Sequence, residues 1–206
     1  MTATTVHLVR HGEVANPAGI LYGVLPGFHL STRGRAMALA AADHLSGRRG
    51  RVRADIVHVV ASPLERAQET AAPIADAFGL PVATDPRVIE AGNSFQGERV
   101  TVPFLMKPRN LVRLRAPGTP SWGEPYVEIA ERMTSGIAAA RDAARGHEAV
   151  IVSHQLPIWV VRAHVERRGY VHDPRRRQCA LGSITALRFV DDAVAWVSYV
   201  DAARGV

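Results

Sequence analysis

Arg10-His11-Gly12-Glu13 directly follows the apolar run 6–9, so a histidine flanked by an arginine and a glycine stands where a strand should stop. A second histidine, His154, follows another apolar run, 149–152, and Ser153. Between them the run 55–61 ends at Ser62, and Arg66 follows one turn later. Histidine can attack phosphorus, and arginine pairs well with phosphate oxygens. Parallel strands deliver their carboxyl ends to one edge of a sheet, where open α/β folds bind ligands. The helices that begin after Ser62 and after His154 would aim their unpaired N–H groups at the same edge, which favours an anion. Either histidine alone is compatible with an idle strand end. Two such histidines with arginines at matching strand ends point to phosphoryl chemistry.

The elements that must position these groups are legible from periodicity and punctuation. Residues 4–9 read as the first strand. A loop rich in glycine and proline spans 12–30, with Asn16-Pro17, Gly19, Gly23, Pro26 and Gly27 as turn formers. Ser31 or Thr32 caps a helix to about residue 45, with Met37, Ala40, Ala41 and His44 along one face. Residues 47–53 form a polar connection to the strand 55–61, which is apolar enough to be covered on both faces. Ser62 and Glu65 have capping-box spacing with Pro63 at the first helical position, and that helix ends at Gly79. A short strand follows at 82–84. Residues 86–125 are irregular and carry Pro103, Pro108, Pro117, Pro120 and Pro125. They read as an insertion over the ligand edge, with a short helix at 100–106. A helix over 126–144 buries Val127, Ala130, Met133, Ile137 and Ala140. After the strand 149–152, Pro157 opens a helix to about 167. Strands 184–189 and 194–199 turn at Asp191-Asp192.

Alternating strands and helices predict a single α/β domain over 1–206. It is a three-layer sandwich: a mostly parallel sheet, helices on both faces and an antiparallel edge strand.

Composition narrows the class. The chain has 206 residues, 47% of them hydrophobic, enough for a full core. No apolar run reaches bilayer-spanning length and no export signal opens the chain, so neither a membrane nor secretion is expected. Cys179 is the single cysteine, which excludes an internal disulfide and a cysteine zinc cage. A reducing cytoplasm is the default location. The formal charge is +6, and all but one of the 25 basic residues are arginine. Arg175-Arg176-Arg177 lacks stacking aromatics, so it reads as a solvated turn or a pocket rim rather than a nucleic-acid site. No metal motif is present and no cofactor is required. The sequence leaves room for a homodimer through exposed sheet or helix surfaces.

The chain resembles the histidine phosphatase superfamily, in its branch related to cofactor-dependent phosphoglycerate mutases. Four ordered segments carry the likeness: Arg10-His11-Gly12-Glu13 with Asn16, Leu30-Ser31-Thr32-Arg33-Gly34, the segment from Ala61-Ser62-Pro63 through Arg66 to Ala71, and Ser153-His154. The likeness runs from residue 4 to about 200. It implies that His11 becomes a phosphohistidine, that Arg10, Arg66 and His154 surround the phosphoryl oxygens, and that Asn16 donates a further hydrogen bond. It places a general acid at Glu90. Gln155 stands where many members carry glycine, Gln96 replaces an acid of the usual aromatic-Glu-Gly stretch, and an Arg-x-Tyr-Gly stretch of the mutases is absent. The Gln96 departure leaves Glu90 as the acid, and the missing mutase stretch favours hydrolysis of a small phosphorylated metabolite, with inorganic phosphate as product. The alternatives are a mutase and a non-catalytic phospho-ligand binder. Tyr22, Gln155 and His29 are expected to approach the substrate. Phe104, Leu105, Met106, Lys107, Arg109, Arg113 and Arg115 of the insertion either bind its apolar and anionic parts or cover the core with a solvated basic face.

Overall fold

The computed structural model describes residues 2–48, 52–115 and 122–206. The expected linker residues 49–51, and Pro117 and Pro120 of the insertion, lie outside the described residues. The chain builds one mixed sheet from β1 (Ala3–Arg10), β2 (Ile56–Ala61), β3 (Val82–Thr84), β4 (Glu148–Ser153), β5 (Ile184–Val190) and β6 (Ala193–Val200). Their order across the sheet is β3-β2-β4-β1-β5-β6. The first four run parallel, and β5 and β6 are antiparallel to their neighbours. The expected antiparallel edge is thus a pair of strands.

The helices are α1 (Thr32–Leu45), α2 (Glu65–Phe78), α3 (Val102–Leu105), α4 (Pro108–Arg113), α5 (Tyr126–Ala143) and α6 (Gln155–Val165). The period of two along each strand sends alternate side chains to opposite faces. Val6, Leu8, Ala149 and Ile151 pack in the cluster that holds α5 and α6. Val9, Val150 and Val152 pack in the cluster that holds α1 and α2. These two cores join the helical outer layers to the two faces of the sheet.

Several local readings change. The helix after β2 begins at Glu65, and Leu64 precedes it without a side-chain cap. The Ser62 hydroxyl accepts from Leu64 N at 3.4 Å and pairs with a histidine, as described below, so the expected capping box with Glu65 does not form. Helix α6 starts at Gln155, and Pro157 sits inside its first turn, where a missing N–H leaves no helical bond unmade. Val127 is exposed, and Ile129 takes its place on the buried face of α5. The insertion carries α3 and α4 rather than one helix. Ser31 caps α1 as expected, accepting a bond from Gly34 N. Gly79 ends α2 in the left-handed conformation.

Candidate active site

Three adjacent strands explain the convergence. β2, β4 and β1 lie side by side, and Arg10 is in register with Ser153. Past the strand ends, His11 N donates to Ser153 O at 3.1 Å and Ser62 N donates to Val152 O at 3.0 Å. The segments carrying His11, Ser62 and His154 are therefore stitched together by backbone bonds. The imidazoles of His11 and His154 face each other with ring centroids 5.1 Å apart, and both are fully buried.

The turn after His11 needs its glycine. A Cβ on Gly12 would stand 2.3 Å from Gly34 O, and one on Gly34 would stand 2.0 Å from Glu13 O. The motif thus packs backbone-to-backbone against the start of α1. Gly12 N donates to Thr70 Oγ1, whose hydroxyl in turn donates to Arg66 O, which locks the turn to α2. Glu13 points away from the cavity wall and accepts bonds from Ser31 Oγ and Arg33 Nη1.

The hydrogen bonds set the tautomers. His11 Nδ1 lies 2.7 Å from Gly12 O, and a carbonyl can only accept. Nδ1 therefore carries the proton, and Nε2 keeps its lone pair. Burial first, then the Arg10 and Arg66 charges, push the His11 imidazole down to about 3, against the opposing Gly12 bond. His154 Nε2 lies 2.8 Å from Ser62 Oγ. Burial, followed by His11, Arg66, Arg10 and Arg132, holds His154 well below its ordinary value. Both rings are neutral near pH 7.

Around them stand buried donors without protein partners among the described residues: Arg10 Nε, Arg66 Nε and Nη1, and His154 Nδ1. A buried unpaired donor is costly, so such a group calls for an acceptor. Arg66 is completely buried, donates from Nη2 to Gly23 O at 2.5 Å and lies 4.8 Å over the Tyr22 ring. Arg10 donates from Nη1 to Cys179 O at 2.7 Å. These anchors aim the remaining guanidinium nitrogens.

Glu90 faces the same cavity, which measures about 440 Å³. Burial pushes its carboxyl above the ordinary range, against the Ala91 N–H and the Arg66, Arg10 and Arg177 charges. Its segment is anchored twice. Ser153 Oγ donates to Val88 O at 2.7 Å. Arg132 Nη1 donates to Arg87 O and Ile89 O, while its Nε and Nη2 hold Glu124 at 2.6 and 2.9 Å. Sequence reasoning missed Arg132, because nothing in a helical arginine announces that it braces a distant loop.

The other expected site residues divide. Tyr22 and Gln155 line the cavity with Arg10, His11 and Glu90. Asn16 does not: both ends of its amide bond the Ile20 backbone and brace the first loop. His29 is exposed and pairs with Glu69, away from the cavity. None of the insertion residues 104–115 lines the cavity either. Phe104 packs edge-on to Phe95, Lys107 lies over Phe104, and Arg113 donates to Ser94 O. The wall comes instead from 90–93, 122–126 and 171–177. Gln96 caps Val24 N in the first loop with a 2.5 Å bond, which ties the insertion to the residues beside Tyr22. Within the arginine triplet, Arg175 and Arg176 are exposed and Arg177 lines the cavity.

Among the described residues, no cluster of three or more His, Cys, Asp or Glu side chains is placed to hold a metal ion, and no helix is long and apolar enough to cross a membrane.

Comparison with known proteins places this geometry in a family. Residues 6–202 match the model of the histidine phosphatase superfamily, branch 1. The chain belongs to that superfamily. It is 55% identical over 198 residues to the uncharacterized protein Rv0525 of Mycobacterium tuberculosis, covering 95% of each chain. It is 30% identical over 191 residues to a probable phosphoglycerate mutase, GpmB, of Yersinia pestis, covering 87% of this chain and 83% of the relative. Among solved structures it superposes on the mycobacterial glucosyl-3-phosphoglycerate phosphatase Rv2419c with a TM-score of 0.73 and 25% identity, covering 96% of both chains.

Proposed function

We propose that this protein is a metal-independent phosphomonoesterase that hydrolyses a small phosphorylated metabolite through a phosphohistidine on His11. The observation that carries this reading is the His11 tautomer. Nδ1 is committed to Gly12 O, which leaves the Nε2 lone pair free, and Arg66, Arg10 and His154 carry buried donors without protein partners among the described residues.

In the first step His11 Nε2 forms a bond to phosphorus as the ester P–O bond breaks. The leaving oxygen keeps the electron pair and takes the proton of Glu90. In the second step water attacks phosphorus and gives its proton to the Glu90 carboxylate. The P–N bond breaks, and His11 Nε2 recovers its lone pair. Arg66, Arg10 and the Nδ1–H of His154 hold the equatorial oxygens through both steps, where developing charge is stabilised without reorganisation. The Ser62 hydroxyl then donates to His154 Nε2 and fixes that tautomer. Tyr22 and Gln155 flank the substrate.

The superfamily match and the likeness to a phosphatase of known structure support hydrolysis. The probable mutase among the relatives keeps a second reading alive, in which the phosphohistidine returns its phosphoryl group to a second hydroxyl. The residues after Glu90, Ala91-Gly92-Asn93, do not supply the mutase stretch. Pure protein is incubated with p-nitrophenyl phosphate, and the acid-labile, base-stable phosphoenzyme is trapped by rapid quench. Release of phosphate by the native chain and none by His11→Ala is the expected result. Equal rates in the two proteins would reject His11 as nucleophile. Phosphate transfer to phosphoglycerate that outpaces release would favour the mutase. A native chain that neither turns over nor traps phosphate would be a binder only.

A further inference from the structure

Building on the phosphatase reading, we propose that Arg177 is the residue that sets specificity, selecting phosphate esters that carry a second anionic group a few bonds from phosphorus. The observations are geometric. Arg177 lines the cavity beyond Gln155, and neutral groups hold its guanidinium in place. Nε donates to His172 Nε2 at 2.7 Å, and Nη1 reaches Gln155 Oε1 at 3.4 Å. His172 is itself fixed: its Nδ1 lies 2.6 Å from Tyr170 O, which makes Nε2 the acceptor, and its ring stacks on Trp159 at 3.4 Å between centroids. A side chain that merely decorated a turn would not need a stacked imidazole to orient it.

The charge balance points the same way. Among the described residues, Arg177 makes no ion pair. Glu124, the other carboxylate on this part of the wall, is already held by Arg132 through both oxygens. Glu90 is the group assigned to carry the catalytic proton. Arg177 is partly buried, and a desolvated cation with only neutral ligands gains from an anion placed against its remaining donors. The phosphoryl group already has Arg10 and Arg66.

The spacing limits the length of the ligand. Cys179 O accepts from Arg10 Nη1 at 2.7 Å and from Gln155 Nε2 at 3.5 Å, and Gln155 contacts Arg177 in turn. One backbone carbonyl and one side chain therefore link the two guanidinium groups. Tyr126, Trp122, Leu156 and Val171 supply apolar wall to the same cavity, which suits a short carbon frame between the two charges. A carboxylate and a second phosphate share the chemistry required.

Non-hydrolysable ligands test this independently of turnover. Titration calorimetry compares 3-phosphonopropionate and propane-1,3-diphosphonate with propylphosphonate, which lacks the second charge. The native chain should bind at least one of the doubly anionic ligands about tenfold or more tighter than propylphosphonate, and which one reveals the natural second group. Arg177→Met should erase that difference, and Arg177→Lys should keep part of it, which also controls for folding. No preference in the native chain would overturn the proposal, as would a preference that survives in Arg177→Met. If Arg177→Met weakens all three ligands equally, the guanidinium serves the phosphoryl group itself and the proposal falls. Failure to hydrolyse any ester with the preference intact would instead strike the phosphatase reading alone.

Discussion

The two ends of the cavity are built differently. At the phosphoryl end all the groups but Glu90 stand on or one turn beyond a strand: Arg10 and His11 at the end of β1, Ser62 and Arg66 after β2, His154 after β4. Apart from the partly buried Arg10 these residues are buried, and backbone bonds stitch the strand ends together. At the mouth the wall comes from three connections, 90–93, 122–126 and 171–177, held by side-chain bonds such as Arg132 to Arg87 O and Arg177 to His172. A rigid sheet edge suits a reaction that tolerates little misplacement, whereas loops can change composition without disturbing it. In the proposed reading the nucleophile and its oxyanion donors thus stand on the sheet edge, selectivity lies in the loops, and Glu90 alone brings a catalytic group from a loop to the chemistry.

Substitutions that break this contrast should differ in size and in kind. His11→Ala removes the nucleophile and should lower turnover by about a thousandfold or more, with no phosphoenzyme in quench experiments. Arg66→Met removes donors that act on transition-state charge, so kcat should fall by roughly 10² to 10³. A fall confined to KM would show that Arg66 only binds.

Glu90→Gln should cost about 10² to 10⁴ with an alkyl ester, and far less with p-nitrophenyl phosphate, whose leaving group needs no proton. The sign of the pH effect follows from burial. The carboxyl sits above its ordinary range and acts as an acid, so activity falls as pH rises through that raised value. The pH–rate profile of Glu90→Gln should lack this alkaline limb.

Gly12→Ala forces a Cβ to 2.3 Å from Gly34 O. Overpacking of this kind costs about 1–3 kcal/mol, visible as a Tm lower by several degrees.

A different kind of effect is expected on acid stability. Folded His11 titrates at about 3 against 6.5 for the free side chain, so the unfolded chain binds more protons between these values. Stability is lost as pH falls from about 6.5 to about 3, and His11→Asn should make the fall in Tm across that window shallower.

Much of the phosphoryl end was legible before any coordinates. Strand ends are marked by apolar runs that stop at polar residues, and parallel topology then brings them to one edge. Ser62 departs from the capping-box reading because its hydroxyl accepts from Leu64 N while it pairs with His154. Local spacing favoured the cap, and the neighbouring strand supplied the histidine. For residues 104–115 of the insertion the sequence leaves two readings open, and the structure takes the solvated basic face. Its cations and apolar residues were visible, but which way a loop faces depends on what it packs against. Phe104 packs on Phe95, and the segment turns its arginines from the cavity. Asn16 likewise bonds Ile20 in its own loop, a contact that motif spacing does not reveal.

The amino-acid sequence by itself determined the strand and helix order, the neutral core and the reactive groups at the strand ends, because periodicity and chain polarity act over short stretches of residues. Only the tertiary structure decided which nitrogen of His11 holds the proton, how burial moves Glu90 and His154, and that Arg177 and the two ends of the insertion, rather than its residues 104–115, line the cavity. Those outcomes depend on solvent exclusion and on partners distant in the chain, and both exist only once the layers have packed.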